Sequence, residues 1–246
     1  MKMVRLIVGE YIKGRHSFGR RSVVIFPLLT TLMAVFLMGG QLTQVGAYNW
    51  WYMLFLPMVV SMISINLVNI DKKLAFFNID ILPVTRSNIW MAKILAGCSY
   101  ILVANTLLFG LTTVSGIIFG SQYSNLNGIF AGIVLTISWL WQIPLGMFLV
   151  AKFNSTFAFL TLISLNIIFS IQDIAGGDYW FIPFSIPARL MAPIIGVNPN
   201  GIPLTSVSSL HDSGVILPGI LITLFLFFVG VIMTIRWFSK EGGIIK

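Results

Sequence analysis

The sequence predicts an all-α integral membrane protein with six transmembrane helices, and three observations carry that prediction. Hydrophobic residues make up 57% of the chain and charged residues 9%, where a soluble domain has about a quarter charged. Seven acids and fifteen bases cannot furnish the polar shell that a soluble protein of 246 residues requires, and a mean hydropathy of +0.96 points the same way. Uncharged apolar stretches of about 20 residues, the length a helix needs to cross a bilayer, recur along the chain. The bases lie beside these stretches and on one side of them, the pattern of membrane orientation rather than of nucleic-acid binding.

The first element is an amphipathic start within residues 1–21. Val4, Ile7, Val8, Tyr11 and Ile12 share one helical face, and Arg5, Glu10 and Lys13 take the other. This reads as a helix lying in the inner-leaflet interface, joined through Gly14 and Gly19 to the first span. That first apolar run is too long for a signal-peptide core and lacks a small-residue cleavage site. The six spans fall at residues 22–43, 51–68, 94–119, 129–150, 154–171 and 215–235. The fifth is the shortest and carries Asn166 near its middle. Of the fifteen bases, fourteen precede the first span, lie in the second or fourth connection or follow the last span, and only Arg189 falls on the opposite side. Both ends of the chain are therefore expected in the cytoplasm.

Two connections have character of their own. Residues 69–93 read NIDKKLAFFNIDILPVTRSNIWMAK. A charged opening leads to an apolar run (Leu74, Phe76, Phe77, Ile79, Ile81, Leu82), then Pro83 and a new helix start at Ser87. Such apolar residues outside the bilayer must bury themselves in inner-leaflet lipid or in the cleft of a soluble partner. Residues 172–213 hold five of the ten prolines together with Tyr179, Trp180, Phe181 and Phe184. That segment is too proline-broken to span and too apolar for a free loop, so short helices at the outer interface are expected, with the aromatics at headgroup depth.

Catalytic constellations are missing from the sequence. His16 and His211 lie on opposite sides of the expected membrane and cannot share a metal. No HExxH, no nucleophile elbow with a histidine and no GxxxxGK[ST] is present, so neither hydrolysis nor P-loop ATP binding is expected of this chain. The lone Cys98 excludes a disulfide framework. No charge lies well inside an expected span, which argues against a proton-driven carrier. The polar residues Asn66, Asn105, Gln142 and Asn166 are expected to bond between helices.

The order of elements, and above all the stretch from Asp71 through Leu82, Pro83, Val84, Thr85, Arg86, Ile89 and Trp90 to Lys93, resembles the permease subunit of ABC-2-type transporters over essentially the whole length. The chain departs from that pattern in carrying Asp71 where a Glu is common and in having no Gly at Leu74–Ala75. Within that class, the stretches NWWYMLFLP (49–57) and WFIPFSIPARLMAPIIGVNPNGIP (180–203) are similar to those of the lantibiotic-immunity permeases of the MutE/EpiE/NisE type. The resemblance implies one transmembrane domain over residues 1–246. In it, residues 69–93 form a cytoplasmic coupling helix region between spans 2 and 3, and 172–213 form an outer re-entrant segment between spans 5 and 6. It implies a heteromeric complex with an ATP-Mg-binding ABC ATPase and a second related permease, in the cell membrane of a Gram-positive bacterium. This chain itself would bind no cofactor, and membrane lipid and a cationic lantibiotic peptide would be its other partners. Asp71, Lys72, Lys73, Leu74, Phe76, Phe77 and Arg86 become candidates for ATPase coupling. Tyr179, Trp180, Phe181, Phe184 and Arg189 become candidates for peptide contact. Two other readings stay open: the same fold with a lipid, polysaccharide or drug as cargo, and a membrane sensor or scaffold subunit that transports nothing.

Overall fold

The computed structural model describes residues 3–74 and 76–241. Among the described residues the regular elements are helices, with one isolated bridge between Val197 and Pro203. Helix α1 is Met3–Lys13 and α2 is Phe18–Met38. Ser17 caps α2 by accepting from the Arg20 amide at 3.2 Å, and Gly39 (φ 57°) ends it in a conformation that favours glycine. Helix α3, Thr43–Lys73, widens to a π-helical turn over Trp51–Phe55. That turn lies ahead of Pro57, whose ring would press on the carbonyl four residues back in a regular helix. Helix α4 is Phe77–Asp80 and α5 is Arg86–Phe119. Helix α6, Asn125–Lys152, breaks at Leu140 and Trp141 ahead of Pro144. The short helices α7 (Ser155–Phe169), α8 (Gln172–Ala175) and α9 (Ile186–Ile195) lead to α10, Ile216–Glu241.

Among the described residues five helices are long and apolar enough to cross a membrane: α2, α3, α5, α6 and the stretch Ser213–Lys240, which holds nearly all of α10. Helices α3, α5, α6 and α10 run several residues beyond the spans expected from hydropathy, whereas α2 ends at Met38, short of the expected residue 43. The helical hydrogen-bond ladder continues through the charged residues at Lys72, Lys73 and Arg86, which a hydropathy window excludes. The fifth expected span is not among these five: its helix α7 has 15 residues, about 22 Å at helical rise, short of the roughly 30 Å hydrocarbon core. Asn154 caps it early, accepting from the Phe157 amide at 2.7 Å, and it ends at Ser170.

The helices expose apolar side chains along their length. On α10, Leu217, Leu221, Phe225, Phe228 and Ile232 form one outward stripe, and Phe36 and Ile117 are exposed on α2 and α5. That is the surface of a membrane-embedded chain. The packed interior centres on α3, where Trp51, Tyr52, Leu56, Val59, Val60 and Ile63 are buried against α2, α6 and α7.

Polar groups inside the bundle bond between helices. Trp51 Nε1 donates to Asn105 Oδ1 at 2.8 Å, and Asn105 donates to Thr136 Oγ1 at 3.0 Å. Gln142 and Asn166 donate to each other at 3.0 and 2.9 Å. In low-dielectric surroundings each pair meets a need that lipid cannot meet. Asn66 has a different role, standing against Gly14 at the foot of α1.

Alternating helix directions put α1, the end of α3, α4, the start of α5 and the ends of α6 and α10 together at one basic end. Contacts between Lys72 and the end of α6, and between Ser87 and Ser239 at 2.7 Å, join them there. The proline-rich segment closes the opposite end. Its helix α9 is buried along nearly its whole length and packs on α6. Arg189 from α9 is 5% exposed and donates to the Leu210 carbonyl at 3.1 Å. Asn49 Nδ2, on α3, donates to the Pro199 carbonyl at 2.9 Å. The segment is thus a lid clamped to the bundle.

Candidate functional site

The basic end holds four charges in one network. Asp71, fully buried near the end of α3, faces Lys93 Nζ of α5 at 2.5 Å. Lys93, itself 1% exposed, also donates to Glu10 Oε2 at 2.6 Å and to the Leu67 carbonyl at 2.7 Å. Lys13 bridges the two acids from the edge, at 2.9 Å from Glu10 and 3.3 Å from Asp71. Burial works against the Lys13 ammonium, but the two carboxylates outweigh it and hold its pKa above the ordinary lysine value. Among the described residues the two acids and two bases of this network balance in charge. Each buried ion has a partner, without which its desolvation would be prohibitive.

Glycines bring α1 into reach of this network. A Cβ on Gly19 would sit 2.6 Å from the Met62 carbonyl oxygen, and one on Gly14 would sit 2.6 Å from Asn66 Nδ2. Glu10 is the correction on α1. It turns inward to Lys93 instead of sharing a solvent face with Arg5, and Val4, Val8 and Ile12 point outward. Ile7 and Tyr11 pack on the core, with Tyr11 Oη 2.5 Å from Ser99 Oγ.

From this anchor the chain reverses. The Asp71 carbonyl accepts from the amides of Leu74 and Phe76, at 3.2 and 2.9 Å. Phe76 takes a left-handed conformation (φ 60°), unusual for a bulky residue, and inserts its ring into the bundle. The Phe76 ring meets Phe238 edge-on at 5.3 Å, and Phe238 stacks on Trp90 at 4.3 Å. Phe76 is therefore corrected from exposed docking residue to buried anchor, 1% exposed, and Ile79 is buried beside it. Leu74, Phe77, Ile81 and Leu82 are exposed at 56%, 68%, 67% and 41%, and form an apolar edge on a fixed mount.

The other coupling candidates divide by contact. Lys72 donates to the Val150 and Phe153 carbonyls at 2.7 and 2.6 Å, capping the end of α6 as cations do at helix C-termini. Lys73 is exposed, and Arg86 opens α5 directly after its cap Thr85.

At the opposite end the five peptide-contact candidates also separate. Tyr179 and Phe181 are exposed. Trp180 packs partly on the core. Phe184 is sandwiched, 4.8 Å from Trp141 edge-on and 6.0 Å from Phe169 in a stack. Arg189 is corrected from a surface contact to an internal brace. Burial pulls its pKa down, and nearby Asp212 opposes that.

Glu10, Lys13 and Lys93 are the site residues that sequence reasoning missed. A signal existed: Glu10 lies one helical turn before Gly14, where the absence of a side chain lets the chain press against Asn66 of α3. Among the described residues no group of His, Cys, Asp and Glu is arranged to hold a metal ion. No family model, curated protein or solved structure matches the chain.

Proposed function

We propose that this chain is the permease subunit of an ABC-2-type transporter of the lantibiotic-immunity class, driven by a partner ATPase at its basic, cytoplasmic end. In this reading α7 and the turn after it complete a sixth crossing. It starts at the basic end, where Ser155 donates to Asn69 at 3.0 Å, and ends beside the opposite lid, where Phe169 meets Phe184. The observation that carries the proposal is the exposed edge Leu74, Phe77, Ile81 and Leu82 mounted on buried Asp71 and Phe76. A mobile apolar loop would transmit little force. A short helix that follows Asp71, whose ion pairs reach α1 and α5, and that is held to α10 by the edge-on contact of Phe76 with Phe238, moves those helices whenever a partner moves it. The exposed Tyr179 and Phe181 on the far lid suit an amphipathic peptide at the outer interface, and a permease would receive its energy through the near edge.

The double variant Phe77→Ser/Ile81→Ser tests this in the host cell. Tagged wild-type chain should co-purify with an ATP-hydrolysing subunit and confer peptide resistance. The variant should reach equal abundance, lose the ATPase from the purified complex and lose at least about ten-fold in resistance, since two rim-to-core apolar anchors contribute roughly 1–3 kcal/mol each. Retained co-purification and unchanged resistance would overturn the reading.

A further inference from the structure

Between α6 and α10, at the half of the bundle nearer the basic end, lies a cleft of about 450 Å³. Its size is that of small-ligand pockets, about 300–1,000 Å³. Its walls are Trp141, Leu145 and Phe148 on α6, and Gly230, Met233 and Trp237 on α10. The one hydroxyl in the lining, on Thr234, already accepts from Trp90 Nε1 at 3.1 Å. Apart from the indole N–H groups of Trp141 and Trp237, which are buried without a partner, the rest of the lining is apolar, and such a cleft fits a hydrocarbon chain.

The two walls share a further property. Both helices run toward the basic end, and they touch where the Phe148 and Trp237 rings lie 4.9 Å apart. On α6 the spacing Trp141, Leu145, Phe148 continues by four residues to Lys152, whose ammonium stands 5.5 Å over the Phe148 ring. On α10 the spacing Gly230, Met233, Trp237 continues by three to Lys240, which is exposed. Each wall of the cleft therefore leads, about one helical turn beyond the Phe148–Trp237 contact, to a lysine on the same helix.

We propose that this cleft binds an anionic phospholipid from the leaflet at the basic end, its acyl chain between α6 and α10 and its phosphate between Lys152 and Lys240. Charge decides the occupant. A second copy of this chain would bring its own basic end to the same depth and place like charges together, whereas an anionic headgroup neutralises both lysines. The site needs only that the bundle be membrane-embedded and is independent of the cargo.

The experiment uses the purified chain in nanodiscs of equal phosphatidylglycerol and phosphatidylcholine, with bromine on the acyl chains of one lipid at a time to quench tryptophan. Brominated phosphatidylglycerol should quench more strongly than brominated phosphatidylcholine, corresponding to about thirty-fold preference, the scale two lysines at an anionic surface supply. The excess should vanish in Lys152→Gln/Lys240→Gln, whose exposed substitutions leave the fold alone. It should also vanish in Trp141→Phe/Trp237→Phe, which removes the reporters of this cleft. Equal quenching by the two lipids, or an excess that survives the lysine substitutions, overturns the proposal. So does absence of quenching together with a dimer by mass photometry, the result expected if a second copy covers the cleft.

Discussion

Lys93 holds together three helices that have no other charge in common, so its replacement is the sharpest single test of the basic end. Lys93→Met keeps most of the apolar side chain and removes the ammonium, and with it the ion pairs to Glu10 and Asp71. Uncompensated buried charge of this kind costs about 3–5 kcal/mol, and thermal unfolding in detergent should register most of it. Lys13→Met, at the half-open edge of the network, should cost about 1 kcal/mol or less. Equal losses for the two variants would mean that the network is not organised around Lys93. The pH dependence has a definite direction. Because the folded pKa of Lys13 is raised, its contribution is complete below the unfolded lysine value of about 10.4. That contribution falls away only as pH rises through the folded value, so it stays constant through neutral pH.

Among the elements, the lid at residues 172–213 separates anchoring aromatics from available ones. Phe184→Ala removes a ring held between Trp141 and Phe169, and should lower protein abundance and thermal stability by about 2–3 kcal/mol. Any loss of peptide resistance should then track abundance and be the same for every peptide. Tyr179→Ala/Phe181→Ala removes exposed rings and should leave stability within about 0.5 kcal/mol. It should weaken resistance to one peptide several-fold more than to a chemically different one. Parallel, peptide-independent losses in both variants would confine the lid to a structural role. The lid also marks where pattern reading stops. Composition identifies residues 172–213 as neither span nor free loop, because five prolines and four aromatics are local facts. That α9 lies inside the bundle, with Arg189 reaching the Leu210 carbonyl, depends on packing against α6 that no local pattern encodes. The same holds at the connection 69–93. Its apolar run is legible, but the turn that buries Phe76 and exposes Phe77 is set by Phe238, far away in sequence. Glu10 escapes pattern reading for a related reason: on a short amphipathic helix the polar face is expected to be the wet one.

For the molecule as a whole, the gathering of bases at one end, against Asp173, Asp178, Asp212 and the single Arg189 at the lid, predicts its orientation. In a Cys98→Ser background, Val207→Cys lies on a residue 93% exposed at the lid, and Arg15→Cys lies at the basic end. An impermeant thiol reagent added to intact cells should label the first and reach the second only after permeabilisation. The reverse pattern would place the apolar edge outside the cell and remove any role for a cytosolic ATPase. The long helices and the side on which bases gather are legible in the sequence, since hydropathy and charge are summed over many residues. The count of crossings is less so, because α7 is short and its reach across the bundle depends on the turn beyond Ser170.

The contact between Phe76 and Phe238 also bears on biosynthesis. Phe76 sits just after α3, and Phe238 belongs to α10, which leaves the ribosome after α5, α6 and the lid have been made. Until α10 inserts, the rings of Phe76 and Trp90 have no shelter, and the connection after Asp71 lacks the surface that fixes its turn. The connection can therefore take its final form only once α10 has been made and has packed against α5, so its fold marks completion of the bundle.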